Sequence, residues 1–281
     1  MYAYKLRIEF TWGHQSRIIG LSKTNPSYYY PPPTTILGAI AEPLAKEYRL
    51  GENPENTRLL LSKLSSNLLA IGIKPVNAIP LKYMDLNRIL AVRKRKETYP
   101  SAKSMKAIEG SFDAPARGKT ILSSLDYEPP KLDVLIVFKD KEIIYGGRKL
   151  SLSNHILWEI HRIGSKESLV SVIDVEESNN ISIEEGITIT NYSLPLGKGV
   201  KILEELGRKW VYEVYVDPHI LDPSKTILDY YLEGTKLKTY MVPVKMSLSE
   251  EPSVKISVTK PMAIYSIKFS HSEERIIGVY P

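Results

Sequence analysis

Residues 2–11 alternate: Tyr2, Tyr4, Leu6, Ile8 and Phe10 fall on one face, and Ala3, Lys5, Arg7 and Glu9 on the other. A side-chain period of two over this length specifies a strand with one buried face. A chain that opens this way must bring other apolar layers to cover it. Val134–Phe138 is a continuous apolar run, the pattern of a central strand buried on both faces. Lys139–Lys141 form a polar turn, and Ile143–Tyr145 return as a hairpin partner. Leu37, Ile40, Leu44 and Tyr48 recur at helical spacing. They predict a helix from about Ile36 to Tyr48, capped by Thr34 or Thr35, kinked at Pro43 and stopped near Gly51. A second helix fits Glu55 to Ser65, and Leu68 to Leu81 reads as strand interrupted at Gly72, Pro75 and Pro80. A third helix fits Asn154 to Ile163, ended by Gly164, with a strand over Leu169–Val175. The last third is strand-rich: Ile181–Ile189, Trp210–Val216, Val254–Val258 and Met262–Phe269, with a short helical piece at Ile227–Leu232. The fold class is α+β, with residues 1–180 as a first domain and 181–281 as a β-rich C-terminal subdomain packed on it.

The charge of the chain is concentrated. Between Lys82 and Lys119 there are ten basic and four acidic residues, an excess of six; the whole chain has 38 basic and 32 acidic residues, also an excess of six. This stretch therefore carries all of the formal net charge. A field that localised calls for a partner of opposite sign, or it is a solvated loop with a cluster of charge. With few large apolar residues the stretch buries little by itself, which suits an arm that folds against a polyanion. Arg93, Lys94, Arg95, Lys96, Lys103, Lys106 and Arg117 are its candidate phosphate contacts.

A second candidate surface lies nearer the N-terminus. Trp12–Pro33 is a long connection with Gly13, Gly20, Pro26 and the run Pro31-Pro32-Pro33, and long irregular connections are often functional. It holds Arg17, Lys23 and the consecutive Tyr28, Tyr29 and Tyr30. In an extended chain three successive tyrosines point alternately, so at least one faces away from the core. Such a ring can stack on a base or pack the loop down. Arg162-Ile163-Gly164-Ser165-Lys166-Glu167-Ser168 holds a Gly-Ser-Lys turn whose N–H groups and cation suit a phosphate. It is too short for a nucleotide P-loop and reads equally as a plain tight turn. The first loop and this turn can lie together on one surface, with Lys23, Arg162 and Lys166 on phosphates and one of the tyrosines on a base.

Catalytic signals are sparse. The chain has no cysteine, which removes disulfides and thiolate metal sites. None of its five histidines has a partner at metal-site spacing. There is no GxSxG, GxGxxG or paired-acid signature. A metal-free ribonuclease could use His, Lys and Tyr, and His14 and His161 are the two candidates; the plainer reading of each is a structural or surface histidine. No apolar run approaches the ~18 residues of a membrane span, and there is no signal-peptide pattern, so a cytoplasmic protein is expected. Zero cysteine with abundant Lys, Glu and Ile fits a thermophile.

The opening strand, the Trp12-Gly13 loop, Tyr30-Pro31-Pro32-Pro33-Thr34-Thr35-Ile36-Leu37-Gly38-Ala39 and Arg162–Ser168 together resemble the CRISPR-associated "Cas-five" family, in its archaeal type I-A (Apern) branch. The likeness spans most of the first 175 residues. It implies a ferredoxin-like (RRM-like) domain of the RAMP superfamily, with a β-hairpin thumb inserted where the basic stretch lies, here 82–130. It implies a subunit of the Cascade surveillance complex that grips the five-prime handle of the crRNA, caps the backbone filament, and contacts the backbone ("Cas-seven") subunit and the large subunit. A type I-C branch also cleaves precursor RNA with a Tyr, Lys and adjacent His set. This sequence has no Lys-His pair, so a non-catalytic RNA-binding subunit without cofactor or metal is expected. A metal-independent endoribonuclease acting on repeat RNA is the alternative.

Overall fold

The N-terminal alternation becomes strand β1 (Tyr2–Phe10), with Tyr4, Leu6, Ile8 and Phe10 each at 1 % exposure or less. The computed structural model describes residues 1–16, 18, 25–51, 53–86, 92–94, 97–99, 116–124, 126–207, 209–247, 249 and 251–281, of which 86, 92–94, 97–99, 116 and 117 are described by backbone alone. After β1 come β2 (Gly13–His14), helix α1 (Pro33–Glu47), helix α2 (Pro54–Asn67), β3 (Leu68–Pro75), β4 (Ile79–Leu86), β5 (Val92–Lys94), β6 (Glu97–Tyr99) and β7 (Ala116–Ser123). Then follow β8 (Lys131–Phe138), β9 (Glu142–Tyr145), β10 (Arg148–Ser151), the short helix α3 (Asn154–Trp158), β11 (Val170–Ser178), β12 (Ile181–Glu184), β13 (Gly186–Thr190) and β14 (Leu194–Pro195). The chain ends with β15 (Val200–Leu206), β16 (Trp210–Val216), helix α4 (Ile227–Glu233), β17 (Leu237–Pro243), β18 (Ser253–Val258), β19 (Met262–Lys268) and β20 (Glu273–Val279).

The main sheet has seven strands in the order β11-β1-β8-β3-β20-β19-β12. The four at one end, β11-β1-β8-β3, pair antiparallel throughout. Taken in chain order these four are β1, β3, β8 and β11, so the spatial order is fourth, first, third, second. One face buries Tyr4, Leu6, Ile71, Ile73, Val134, Ile136 and Phe138 against Leu37, Ile40 and Leu44 of α1 and Leu60 and Leu64 of α2. The other face places Ala3, Leu135, Val137 and Leu69 against Tyr192, Tyr265, Ile267 and Ile276. The apolar run of β8 is thus covered from both sides.

The sheet curls on itself. Strands β11 and β12 stand at its two ends, yet only Asn179 and Asn180 separate them in the chain. The corner is held by Ser178 Oγ donating to the Lys268 carbonyl at 2.6 Å and by Lys268 N–H donating to the Asn180 carbonyl at 3.1 Å. Across the curl, Lys5 of β1 reaches Glu274 of β20 at 2.9 Å and Glu176 of β11 at 3.3 Å. Asp133, with no exposed surface, takes both arms of Arg7 at 2.8 and 3.0 Å. Strand β20 meets β3 through Gly278 and Ala70, where a Cβ on Gly278 would lie 2.2 Å from the Leu69 carbonyl oxygen. The chain after residue 180 therefore continues the same sheet and adds two small ones, β13-β18-β15 and β14-β17-β16.

Three local expectations change. Helix α1 begins at Pro33 rather than near Ile36, with Pro32 as its N-cap and no side-chain cap from Thr34 or Thr35. Proline at the first helical position is pre-set for the turn and lacks an N–H that would be unpaired there. The predicted helix Asn154–Ile163 stops at Trp158; Ile160 and Ile163 are buried all the same, but through a bridge of Arg162 to Leu169. The alternation over Ile181–Ile189 divides at Glu185, with β12 joining the main sheet and β13 a separate one.

Candidate nucleic-acid interface

The edges of the basic stretch form a paired arm. Strands β4 and β7 are antiparallel over eight successive pairs, from Ile79↔Ser123 to Leu86↔Ala116. Their side chains at Leu81, Tyr83, Met84 and Ile121 are exposed. Within the arm, β5 pairs with β6 and places Arg93 opposite Thr98 and Lys94 opposite Glu97. Arg117 sits on β7 opposite Asp85, and Lys119 pairs with Asp85 at 2.5 Å. Of the other sequence candidates, Arg17, Lys23, Arg95, Lys96, Lys103 and Lys106 lie outside the described residues.

The tyrosine loop roots this arm. His14 and Gly13 of β2 pair with β7, and Thr120 Oγ1 donates to the Tyr28 carbonyl at 2.6 Å. Tyr28 and Tyr30 do not offer their rings to a base. Tyr28 is buried, stacks edge-on against Tyr215 at 4.9 Å and shares hydroxyl hydrogen bonds with Tyr231 and the Val214 carbonyl. Tyr30 is fully buried and donates to the Ala78 carbonyl at 2.9 Å. Burial raises both phenol pKa values far above the ordinary value, helped at Tyr28 by Tyr231 and Glu213. Tyr29 alone of the three is half-buried, and Lys82 Nζ sits 3.6 Å from its ring centroid, in cation–π contact.

One carboxylate ties these parts together. Glu213 of β16, itself buried, accepts from Tyr29 N–H at 3.0 and 3.3 Å, from Lys82 Nζ at 3.0 Å and from the Tyr215 hydroxyl at 2.6 Å. It therefore joins the tyrosine loop, the first strand of the arm and the C-terminal sheet. The sequence carried a signal for it: in the alternation of β16, Glu213 shares the inward face with Val211 and Tyr215.

The second surface is the turn after α3. Gln15 N–H donates to Ser168 Oγ at 3.1 Å, Trp12 Nε1 to the Glu167 carbonyl at 2.6 Å, and Thr11 Oγ1 to the Leu169 carbonyl at 3.0 Å. Gly164 has φ +102°, and a Cβ there would lie 2.7 Å from the Gln15 carbonyl oxygen; a side chain would push the loop and the turn apart. The start of the first loop, residues 11–16, and the Gly-Ser-Lys turn are thus one surface. Beside them opens a cleft of about 1000 Å³ between α1, the start of α2, residues 15–16 and residues 162–165. Arg162 Nε donates to Glu42 at 2.7 Å, and Lys46 pairs with the other oxygen of that carboxylate at 3.0 Å. Glu42 is held below the usual carboxylate range: partial burial opposes ionisation, and the hydrogen bonds from Lys46 and Arg162 outweigh it. Lys166 is exposed beside the cleft.

The two histidines differ. His14 is fully buried, and neither ring nitrogen has a partner among the described residues. Burial, with Lys82 nearby, pushes its pKa down to about 3, so at neutral pH the ring is uncharged and shut off from a substrate. His161 is exposed, with Nε2 3.7 Å from Glu42. As for metal ligands, Glu47, His155 and Glu159 bring donor atoms within 4.8 Å of one another, all on exposed side chains.

This architecture has known relatives. The family described as "CRISPR-associated protein (Cas_Cas5)" matches residues 3–250. A "CRISPR-associated protein Cas5 2" from Saccharolobus solfataricus is 28 % identical over 229 residues, 76 % of this chain and 80 % of that protein. The crystal structure of a CRISPR protein from Archaeoglobus fulgidus superposes with a TM-score of 0.70 at 38 % identity, covering 99 % of each chain. The family match over nearly the whole length, with the agreement in fold, establishes that the chain belongs to the CRISPR-associated Cas5 family.

Proposed function

We propose that this chain is a non-catalytic, RNA-binding subunit of a type I-A Cascade complex. It grips the five-prime handle of the crRNA and caps the filament of backbone subunits in the cytoplasm, touching the large subunit as well. The observation that carries the reading is the paired arm β4–β7. Its two strands and the segment between them together hold the entire net charge, and its first strand is anchored to the tyrosine loop through Lys82 and Glu213. A cationic arm beside a half-exposed aromatic ring combines backbone attraction with a base platform, as single-strand binding needs. In this reading the arm is the thumb. The order fourth, first, third, second of the strands β1, β3, β8 and β11 supports a ferredoxin-like unit, with α1 and α2 after its first strand and α3 before its last. The buried, uncharged His14 supports the non-catalytic reading.

Salt titration of RNA binding tests it. For about five phosphate contacts on a single strand, log K against log salt should fall with a slope of roughly −3.5. Replacing Arg93, Lys94, Arg95 and Lys96 together by alanine should flatten it; an unchanged slope would remove the arm from the RNA. Repeat RNA incubated with the protein in chelator should stay intact. Cleavage abolished in His161→Ala would establish the nuclease instead.

A further inference from the structure

The cleft between α1 and the Gly164–Ser165 turn has the chemistry of a site rather than of a surface groove. Its ionisable lining is Lys46, Arg49 and Arg162 against Glu42, three cations to one anion. Arg162 meets Glu42 through Nε, which leaves the terminal nitrogens of the guanidinium fork available to a second acceptor. Gly38, Ala39, Ala41 and Ala45 of α1 line the cleft with small apolar residues, which leaves room for a flat group. In the wall stands Gln15, only 9 % exposed, whose Nε2 has no hydrogen-bond partner among the described residues. A buried amide donor without an acceptor is rare in a folded protein and calls for one. The missing ligand must therefore supply an anion near Arg162, a flat body over the alanines and an acceptor at Gln15. A nucleoside 5′-phosphate has all three.

We propose that this cleft takes one nucleotide of the bound RNA, swung out of the strand, with its phosphate on Arg162, Lys46 and Arg49 and its base edge on Gln15. The source of the nucleotide rests on the RNA-binding reading above; the nucleotide chemistry rests on the cleft alone. The close approach of Gly164 to the Gln15 carbonyl holds the backbone that carries Gln15 against the turn that carries Arg162, so base and phosphate are met by neighbouring parts of one surface.

Two measurements separate these. In the first, RNA strands with a single abasic residue at successive positions are tested by filter binding. The wild type should lose about tenfold at two positions and little elsewhere, one for the base stacked on Tyr29 and one for the base in the cleft. In Gln15→Met, which keeps the volume and removes the donor, the cleft position should become unremarkable while the Tyr29 position stays sensitive. The alanine variant of the arm should bind every strand more weakly yet keep both sensitive positions. Uniform losses in the wild type, or the same set of sensitive positions in Gln15→Met as in the wild type, overturn the proposal. In the second, adenosine, guanosine, cytidine and uridine 5′-monophosphates are observed by saturation-transfer NMR against the wild type and Lys46→Ala, an exposed substitution that leaves the core alone. Saturation transfer should be seen with the wild type and fall about fivefold or more in Lys46→Ala, because the phosphate then has one charge-assisted hydrogen bond fewer. No transfer, or transfer unaffected by Lys46→Ala, overturns the nucleotide site. If the wild type binds no RNA while a monophosphate binds and depends on Lys46, the RNA source is overturned and a free nucleotide takes its place.

Discussion

At the scale of single residues, the tyrosine triplet shows how sequence and structure divide the information. The alternation of Tyr28, Tyr29 and Tyr30 was legible, because an extended backbone sends successive side chains to opposite sides. Which of them face inward was not, because that depends on Tyr215, Tyr231 and Ala78, which are distant in the chain. Tyr28→Phe should cost about 1 kcal/mol of stability by removing the hydroxyl and its hydrogen bonds, measured by chemical denaturation, with RNA preference unchanged. Tyr29→Ala should instead cost ~1–3 kcal/mol in RNA binding. The reverse pattern would put the stacking ring elsewhere. Glu213 was only half legible: the alternation of β16 puts it on the inward face, but what it ties together is not visible until its three donors are known. Glu213→Ala leaves Lys82, Tyr29 N–H and the Tyr215 hydroxyl without their acceptor. It should lower stability by about 3 kcal/mol, and by less in Glu213→Gln, which keeps an acceptor. A loss under ~0.5 kcal/mol for the alanine variant would mean the arm is not anchored there.

At the scale of elements, periodicity located β1, β8 and both long helices, because each has a burial pattern set by its own neighbours in sequence. It overran where tertiary pairing decides: α3 ends at Trp158 because Arg162 pairs with Leu169 rather than continuing the helix. Another such tertiary tie is invisible in sequence. Asp217, just after the end of β16, accepts from His219 Nδ1 at 2.8 Å and from Lys238 of β17 at 3.2 Å, while His219 Nε2 lies 3.2 Å from the Leu69 carbonyl of β3. Burial alone would raise the Asp217 pKa, but His219 and Lys238 overcome it and bring it from 3.8 down to about 2. A depressed carboxylate contributes stability that is whole above its unfolded value and is lost as pH falls through the folded one. Acid titration should therefore remove about 2 kcal/mol between pH 3.8 and about 2. Asp217→Asn should lack this component; an identical acid profile in that variant would show that the tie contributes nothing.

At the scale of the whole molecule, charge and fold are separable. Residues 87–115 contain seven basic and three acidic side chains, so four of the six excess charges lie between the ends of β4 and β7. Those ends, Leu86 and Ala116, are register partners, and an Asn-Gly pair can close two such strands as a type I′ turn. Replacing 87–115 by Asn-Gly should leave the rest intact, since the bonds of Glu213 to Tyr29 and Lys82 and of Lys5 to Glu274 are all made by residues that remain. The shortened protein should melt as cooperatively as the parent. Its RNA affinity should fall, and the salt slope should shrink from roughly −3.5 to about −1, the residue left by one or two phosphate contacts at Arg162 and its neighbours. Phosphate contacts position a strand without reading it, and base contacts carry preference. The shortened protein should therefore still favour handle RNA over a scrambled strand, by a ratio close to that of the parent. A slope still near −3.5 would place the phosphate grip on the body rather than the arm. A vanished preference would place the reading of the bases within 87–115.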